Sequence, residues 1–222
     1  MKVSMKVITP DAEQNIVEIA RVSSSRKDKT EKPEGLLNYL IRNAHWSPFE
    51  HASITFDITT SKAIGIQLIR HRSFTFQELS QRYQDVSKIS TDMFEPVEIR
   101  RQSTNNRQSS SETFDPFVTI SSDYIFWKGN TSDLVNMFTE LAQDVYCELL
   151  NAGVAREQAR MVLPMATKTR IYMTGTIRSW IHFLAIRDDE HAQKEIRLIA
   201  QEIKAIMVNE LPIISKSLGW TN

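Results

Sequence analysis

The sequence predicts an α+β fold in which helices predominate and pack with an antiparallel or mixed sheet. Some segments repeat apolar residues at helical spacing, while others alternate apolar and polar residues, as Ile54, Phe56 and Ile58 do. The two kinds of segment do not follow one another regularly along the 222 residues, which argues against repeated βαβ units. A hydrophobic content of 41% is typical of a folded globular protein, and we expect one domain over residues 1–222.

The first predicted elements are a strand and two helices. Val3–Ile8 alternates weakly and ends before a proline, which indicates a short strand. Asp11 is a candidate N-cap for a helix that runs to Ala20, where serines and a charged stretch end it. After Pro33, leucines and an isoleucine repeat at helical spacing up to His45, which predicts the second helix.

The next elements lead into the most basic part of the chain. Residues 53–59 alternate as a half-buried strand does, and Ser61 begins a helix that runs through Ile64, Leu68 and Ile69. Residues 99–115 are almost entirely polar. We expect them to form a loop insertion, either a plain surface loop or a lid.

The C-terminal half is mainly helical. A long helix opens at Thr131 or Ser132 and stops before Gly153. Its apolar stripe consists of Leu134, Phe138, Leu141, Val145, Leu149 and Leu150. The remaining predicted elements are a helix over Arg156–Leu163, a strand over Arg170–Thr176, and helices over Ile177–Arg187 and Glu190–Leu211.

Composition limits the possible partners and the compartment. Lys+Arg and Asp+Glu both number 27, and this zero net charge argues against bulk nucleic-acid binding and favours a small anion in a local pocket. Cys147 is the one cysteine, so we expect a reducing, cytoplasmic setting and a buried thiol, with a nucleophile as the less favoured alternative. No stretch approaches the roughly 18 continuous apolar residues of a membrane span, and the N-terminus lacks the apolar segment of a signal peptide.

The most informative motif lies between two basic triplets. Arg70–Arg72 spells Arg-His-Arg, and Ser80–Arg82 spells Ser-Gln-Arg after seven intervening residues. Guanidinium groups present planar forks of donors that match phosphate oxygens, so this cluster is typical of a site for a phosphorylated ligand. The alternative is a solvated basic face paired with acids such as Glu78 and Asp85.

A second constellation lies at the predicted junction of a helix and a strand. Residues 45–51 spell His-Trp-Ser-Pro-Phe-Glu-His, and imidazole with carboxylate suits zinc or iron. The spacing is not that of the HExxH zinc motif and no cysteine accompanies it, so a metal-free corner shaped by Pro48 is at least an equal alternative. A metal hydrolase built on His45, Glu50, His51 and His191 is therefore a rival interpretation.

Further cations occur at helical spacing in the C-terminal half. Arg156 and Arg160 share one helix face and repel each other unless an anion bridges them; simple solvation is the alternative. Arg178 and His182 are one helical turn apart and can face one ligand. Arg187 ends the same helix just before three acidic residues, where a cation also complements the helix dipole.

The spacing of the two triplets resembles the motif of the flavin-dependent thymidylate synthases, and each fixed position of that motif is matched. The resemblance extends from Arg21–Ser23 to Glu195–Arg197, and only residues 99–115 and the extreme C-terminus lie outside it. This chain departs from the family at Thr176, where many members carry Asn, and at His182, where some do. The departures affect the expected contacts with the cofactor.

The resemblance implies an activity, cofactors and partners. It implies the reductive methylation of dUMP to dTMP, with methylenetetrahydrofolate as the carbon donor and FAD reduced by NADPH, without a cysteine nucleophile. It implies a homotetramer with shared active sites, while the composition of the chain favours neither a nucleic-acid nor a membrane partner. A nucleotide- or RNA-binding module that stacks bases on Phe74 and Phe76 is the non-enzymatic rival, and the neutral charge speaks against it.

The resemblance also assigns binding and catalytic roles to individual residues, and it assigns none of them to a metal. The residues expected to bind dUMP are Gln67, Arg70, Glu78, Ser80, Gln81, Arg82, Arg160 and Arg187. The residues expected along FAD are Ser47, Arg70, His71, Arg72, Glu78, Thr176, Arg178 and His182. Arg187 is the expected catalytic residue, because a cation beside the uracil ring favours its ionised form. Ser80 is expected to anchor the nucleotide, since no base that could ionise it is evident.

Overall fold

The computed structural model describes residues 1–23, 32–89 and 92–221, and these contain eight α-helices and eight strands. The helices are α1 (Ala12–Ala20), α2 (Pro33–Arg42), α3 (Lys62–Leu68), α4 (Thr131–Asn151), α5 (Arg156–Ala159), α6 (Ile177–Arg187), α7 (Lys194–Glu210) and α8 (Pro212–Ser217). The strands are β1 (Lys2–Ile8), β2 (Ser53–Ser61), β3 (Phe74–Glu78), β4 (Arg100–Gln102), β5 (Ser110–Thr113), β6 (Phe117–Ser121), β7 (Phe126–Asn130) and β8 (Lys168–Thr176). The predicted α+β class is confirmed.

The largest sheet has the strand order β1–β2–β8–β3. β1 and β2 are antiparallel, with Val3 opposite Ile58 and Ile8 opposite Ile54, and the register shifts between Met5 and Val7. Along β2 every second residue is buried, as the alternation in the sequence predicts. None of the helices within the described residues is long and apolar enough to cross a membrane.

The chain divides into two compact units. Unit 1 comprises Met1–Thr59, Gln67–Gln77 and Ile171–Asn222, and unit 2 comprises Thr60–Ile66 and Glu78–Arg170. The expectation of a single domain stays a prediction. The charged residues expected to end α1 lie at positions 24–31, outside the described residues.

An aromatic cluster forms the centre of unit 1. Trp180, on α6, is fully buried, and its indole Nε1 donates to the backbone oxygen of Ile54 at 3.1 Å. The Trp180 ring meets Phe56 edge-to-face at 4.8 Å and Phe74 at 4.6 Å between centroids. Each such pair stabilises the fold by about 0.5–1.5 kcal/mol beyond the contribution of its buried surface, so these contacts hold α6 against the sheet.

Gly175 allows this cluster to form. An added Cβ at this position would lie 2.4 Å from two ring carbons of Phe74. A glycine is therefore required on β8 so that the Phe74 ring can approach the backbone and reach Trp180.

Unit 2 packs around the C-terminal half of α4. Tyr146 is fully buried with Val86, Met93 and Ala159, and its hydroxyl accepts the backbone N–H of Val86 at 3.4 Å. Cys147 is half-buried against this cluster, as a structural thiol is. Three residues of the predicted stripe of α4 are instead exposed, namely Phe138 (54%), Leu141 (51%) and Val145 (39%). The stripe is thus split, because only its C-terminal leucines face this core.

The expected loop insertion at 99–115 is only partly a loop. β4 and β5 pair within it as a short antiparallel ribbon, and β6 and β7 follow as a hairpin in which Phe117 lies opposite Asn130. Arg101 links the first pair, since its guanidinium lies 3.7 Å from the centroid of Phe114 and its Nε 2.7 Å from Glu112. Paired backbone groups allow these strands to form without an apolar face, which explains the lack of a sequence signal.

Some predicted helix boundaries are corrected. Asp11 lies at the N-cap position of α1 with φ 47°, and its side chain forms no capping hydrogen bond within the described residues. α5 ends at Ala159 and continues as a 3-10 turn over Arg160–Val162. α7 begins at Lys194, not at Glu190. The predicted starts of α4 and α6 are confirmed.

Candidate functional site

The first part of the site is a hydrogen bond in unit 1 between residues 116 positions apart. His71 lies in the turn that connects α3 to β3, where its N–H donates to Leu68 at 3.1 Å and its carbonyl accepts from Phe74 at 3.2 Å. Arg187 is the last residue of α6, and its Nε donates to His71 Nε2 at 2.9 Å. An imidazole nitrogen that accepts carries no proton, so this contact assigns the ring proton to Nδ1.

The environment of His71 keeps its ring neutral. The ring meets Phe183 at 4.9 Å and Phe74 at 6.2 Å, both edge-to-face. Burial, followed by the charges of Arg187 and His182, lowers the pKa of His71 from 6.5 to about 4. At neutral pH His71 is therefore an acceptor at Nε2 and adds no charge to its surroundings.

Around this bond lie guanidinium groups that no carboxylate neutralises. Arg70 and Arg72 are exposed and Arg187 is half-buried. Burial and the neighbouring charge of Arg70 lower the pKa of Arg187. Within residues 1–23, 32–89 and 92–221, none of these three arginines forms an ion pair with a carboxylate. An anionic ligand would compensate these charges.

A second cluster of unit 1 gathers around Glu50. Thr176 donates from Oγ1 to Glu50 Oε2 at 2.7 Å, and Arg178 donates from Nη1 to Glu50 Oε1 at 2.6 Å. The hydrogen bond from Thr176 is the largest cause that lowers the pKa of Glu50, and Arg178 lowers it further. Thr176 also caps α6, since its Oγ1 accepts the N–H of Ser179 at 3.2 Å. Two of the expected FAD residues thus meet at one carboxylate.

The corner that contains Glu50 is a 3-10 turn over Ser47–His51, in which Pro48 and Phe49 are buried. Ser47 is exposed there, and His182 is exposed on α6. The described part of the chain contains no group of three or more His, Cys, Asp or Glu side chains arranged to hold a metal ion, so the hydrolase interpretation gains no support. Sequence reasoning treated Glu50 only as a possible metal ligand and missed its contacts.

Gln67 is oriented by a residue that sequence reasoning also missed. Its Nε2 donates to Gln193 Oε1 at 2.6 Å, and Gln193 Nε2 donates to Glu195 Oε2 at 2.9 Å. The chain of amides consumes a donor of Gln67 and leaves its side-chain oxygen to accept from a ligand. Gln193 precedes α7 directly, and no sequence signal separates it from an ordinary helix start.

The other expected residues lie in unit 2, beginning with Glu78 and Gln81. Glu78 Oε1 accepts from Lys62 Nζ and from Thr169 Oγ1, both at 2.7 Å. Gln81 is buried, and its Nε2 has no hydrogen-bond partner among the described residues. A buried donor without a partner costs about 1–3 kcal/mol, so Gln81 is suited to a ligand that accepts from it. Asp85, offered as a partner of the basic motif, instead accepts from Ser87 at 2.7 Å.

Two arginines of unit 2 that are expected to bind dUMP, Arg82 and Arg160, meet at one residue. Arg82 Nη2 lies 3.3 Å from the carboxylate of Glu157, and Arg160 Nε donates to the Glu157 carbonyl at 3.4 Å. Arg156 turns away from this contact and donates to the Tyr83 carbonyl at 3.0 Å. The expected Arg156–Arg160 pair is therefore replaced by Arg82 with Arg160. Ser80 is half-buried nearby in sequence.

Guanidiniums without a carboxylate partner among the described residues, beside a neutral acceptor and an aromatic core, define a class of α+β proteins with a site suited to an anionic small molecule. Comparison with known proteins is consistent with that class. The family described as thymidylate synthase complementing protein matches residues 5–213. The chain belongs to this family.

The matches with individual relatives cover most of both chains. A probable flavin-dependent thymidylate synthase of Paramecium bursaria Chlorella virus 1 is 40% identical over 94% of this chain and 91% of the relative. A flavin-dependent thymidylate synthase of Synechocystis sp. is 39% identical over 90% of this chain and 86% of the relative. The crystal structure of the UMP/dUMP methylase PolB from Streptomyces cacaoi, bound with 5-Br dUMP, has a TM-score of 0.75 at 28% identity and covers 98% of this chain and 94% of that one.

Proposed function

We propose that this chain is a flavin-dependent thymidylate synthase. It would methylate dUMP to dTMP with methylenetetrahydrofolate as the carbon donor and NADPH as the reductant of FAD. The functions for which the relatives and the structural neighbour are named support this proposal. The observation that carries it is the set of uncompensated guanidiniums at Arg70, Arg72 and Arg187.

The nucleotide would bind through charge-assisted hydrogen bonds. The residues proposed to hold dUMP are Gln67, Arg70, Glu78, Ser80, Gln81, Arg82, Arg160 and Arg187. Hydrogen bonds to charged groups contribute about 1.5–3 kcal/mol each, so three of them approach the roughly 8 kcal/mol of micromolar binding before ordering costs. Gln81 supplies the clearest support, because its unpartnered Nε2 is a donor without another use.

Arg187 would activate the uracil ring. Its guanidinium stays positively charged at neutral pH, although burial and Arg70 lower its pKa. A fixed cation beside an acidic imide stabilises the anion and lowers the pKa of the ring. The carbon of the anion is the better nucleophile, so the reaction would need no cysteine. Cys147 is consistent with this, since it packs in the structural cluster of unit 2.

The residues present fit FAD. When bound, FAD supplies the transfer of reducing equivalents from NADPH to the substrate. The residues proposed to hold it are Ser47, Arg70, His71, Arg72, Glu78, Thr176, Arg178 and His182. Unpaired guanidiniums match the phosphate oxygens of such a cofactor. Thr176, which replaces a common Asn, keeps a polar group and is fixed by Glu50.

The exposed stripe of α4 supports the proposed homotetramer. Phe138, Leu141 and Val145 recur on one face of a 21-residue helix and remain exposed in the single chain. Contiguous apolar residues at helical spacing mark a surface that another protein covers. We infer that a second copy of the chain covers it, and that the protein acts in the cytoplasm, in keeping with its single cysteine.

An absorption experiment tests the proposed function. The purified protein is incubated with FAD, desalted, and treated anaerobically with NADPH and dUMP; adding methylenetetrahydrofolate and separating the nucleotides then measures dTMP. We expect a retained flavin band that bleaches, and dTMP formation. Arg187→Ala should retain flavin, but its turnover should fall at least about 100-fold. Arg101→Ala, which removes an exposed ion pair with Glu112, is the control and should retain both flavin and turnover. A colourless protein that forms no dTMP would refute the proposal.

A further inference from the structure

We propose that His71 is a positioning residue for Arg187: its imidazole fixes the guanidinium plane so that only the terminal Nη1/Nη2 edge is presented to the uracil ring. This inference rests on the proposed function, in which Arg187 is the cation that would contact the uracil ring. His71 is otherwise expected only along FAD, and its hydrogen bond to Arg187 indicates this additional role.

The geometry of a guanidinium explains the effect. The group can meet a ligand through its side edge, which includes Nε, or through its terminal edge, which has the two Nη atoms. Arg187 Nε donates to His71 Nε2 at 2.9 Å, so the side edge is occupied. The remaining edge offers two parallel N–H donors at a fixed orientation.

That edge distinguishes the two protonation states of the ring. An ionised uracil presents N3 and an adjacent carbonyl oxygen as two neighbouring acceptors, which match the two Nη donors. A neutral uracil presents an N3–H donor at the same place, and two donors that face each other repel. The Nη1/Nη2 edge therefore stabilises the anion by hydrogen-bond geometry in addition to charge.

The neutral imidazole is suited to this task. A carboxylate could also accept from Nε, but it would neutralise the charge that Arg187 must present. Burial and the facing charges of Arg187 and His182 on α6 keep the pKa of His71 at about 4, and Arg70 on the same turn adds positive charge beside Arg187. Phe183 is one helical turn before Arg187 and contacts the same ring at 4.9 Å, so the imidazole cannot rotate freely.

Two substitutions at His71 test the inference. His71→Gln places an amide near the position of Nε2 and can still accept from Arg187, whereas His71→Phe keeps an aromatic ring without an acceptor. The readout is the pH dependence of the 19F NMR shift of 5-fluoro-dUMP bound to the FAD-loaded protein, which reports the acid dissociation constant of the bound ring. His71→Phe should decrease this constant by about 10-fold or more, since a hydrogen bond to a charged group is lost, and His71→Gln should stay within about threefold of wild type.

Further variants separate positioning from general damage. His71→Asn keeps polarity but cannot reach Arg187, so it should behave like His71→Phe, and it serves if the Phe variant does not fold. In an Arg187→Ala background, His71→Phe should have no further effect on the bound ring. His51→Phe makes the same change at an exposed imidazole and should leave the constant unaltered.

The outcomes are distinct. If 5-fluoro-dUMP binds to the variants and neither His71→Phe nor His71→Asn changes its acid dissociation constant, the inference is wrong. It is equally wrong if His71→Phe acts to the same extent without Arg187. Failure of the wild-type protein to retain FAD and to bind 5-fluoro-dUMP would instead refute the proposed function, together with this inference.

Discussion

Gly175→Ala should destabilise the protein through one clash in the aromatic cluster. The new Cβ would lie 2.4 Å from Cδ1 and Cε1 of Phe74 and 3.3 Å from Cγ, whereas carbon atoms in contact are about 3.5–4.0 Å apart. The ring must therefore move by about 1 Å or more. It is held by Trp180 at 4.6 Å and Phe183 at 6.0 Å, so its movement disturbs a packed core. Overpacking of this kind costs about 1–3 kcal/mol.

Urea unfolding of matched variants measures this cost. Gly35→Ala is the control, because Gly35 lies in α2 with no heavy atom within 4 Å of its added Cβ, and Ala should stabilise a helix by about 0.5–1 kcal/mol. Phe74→Leu alone should lower the free energy of unfolding. The double variant Phe74→Leu/Gly175→Ala should lose less than the sum of the two single losses, because the smaller side chain removes the clash. If Gly175→Ala unfolds at the wild-type urea concentration, or if the two substitutions are additive, the packing argument is refuted.

Three further changes have defined outcomes. Glu50→Gln should weaken FAD binding about two- to fivefold in a fluorescence titration, since it releases Arg178 from an exposed ion pair; Glu112→Gln is the control, and unchanged affinity would contradict the role of Glu50. The folded-state pKa of His71, about 4, lies below its value of 6.5 in the unfolded chain, so the unfolded chain binds more protons between these values. The free energy of unfolding should accordingly fall as pH drops from 6.5 to 4, by at most about 3 kcal/mol, and His71→Phe should remove this part of the pH dependence of urea unfolding; an unchanged pH profile would contradict it. Leu141→Arg should reduce the sedimentation coefficient by breaking the assembly, whereas Asn136→Arg, elsewhere on α4, should not; a small species for wild type would refute the assembly.

The sequence predicted most elements of unit 1, because burial and periodicity agree there, but it did not predict β3 or α8. β2 alternates along its whole length, and α6 begins where Thr176 supplies a capping oxygen and ends at Arg187. The hairpin of β6 and β7 gave no such signal. Its residues are mostly exposed, so backbone pairing determines the strands and side-chain patterning does not. Phe117 and Phe126 are exposed at 64% and 73%, which no periodicity of a buried face would suggest.

The chemical types of the site were predictable, but their pairings were not. The basic motif indicated an anion site because several guanidiniums occur close together in sequence. The contact of His71 with Arg187 joins residues 116 positions apart, and that of Glu50 with Arg178 joins residues 128 apart. Such contacts depend on how β8 and α6 return to the earlier part of unit 1, which local patterns do not encode.

α6 connects the stability of unit 1 to the geometry of the site. Trp180 and Phe183 bury one face of this helix in the aromatic cluster, and Arg187 follows Phe183 by one turn. The His71 ring contacts both Phe183 and Arg187, so the same packing that stabilises unit 1 also sets the direction of the guanidinium. A change that shifts Phe74 therefore reaches Arg187 through rings that are already in contact, without touching a ligand. We expect Gly175→Ala to raise the pKa of bound 5-fluoro-dUMP at temperatures where the variant remains folded, and Gly35→Ala to leave it unchanged.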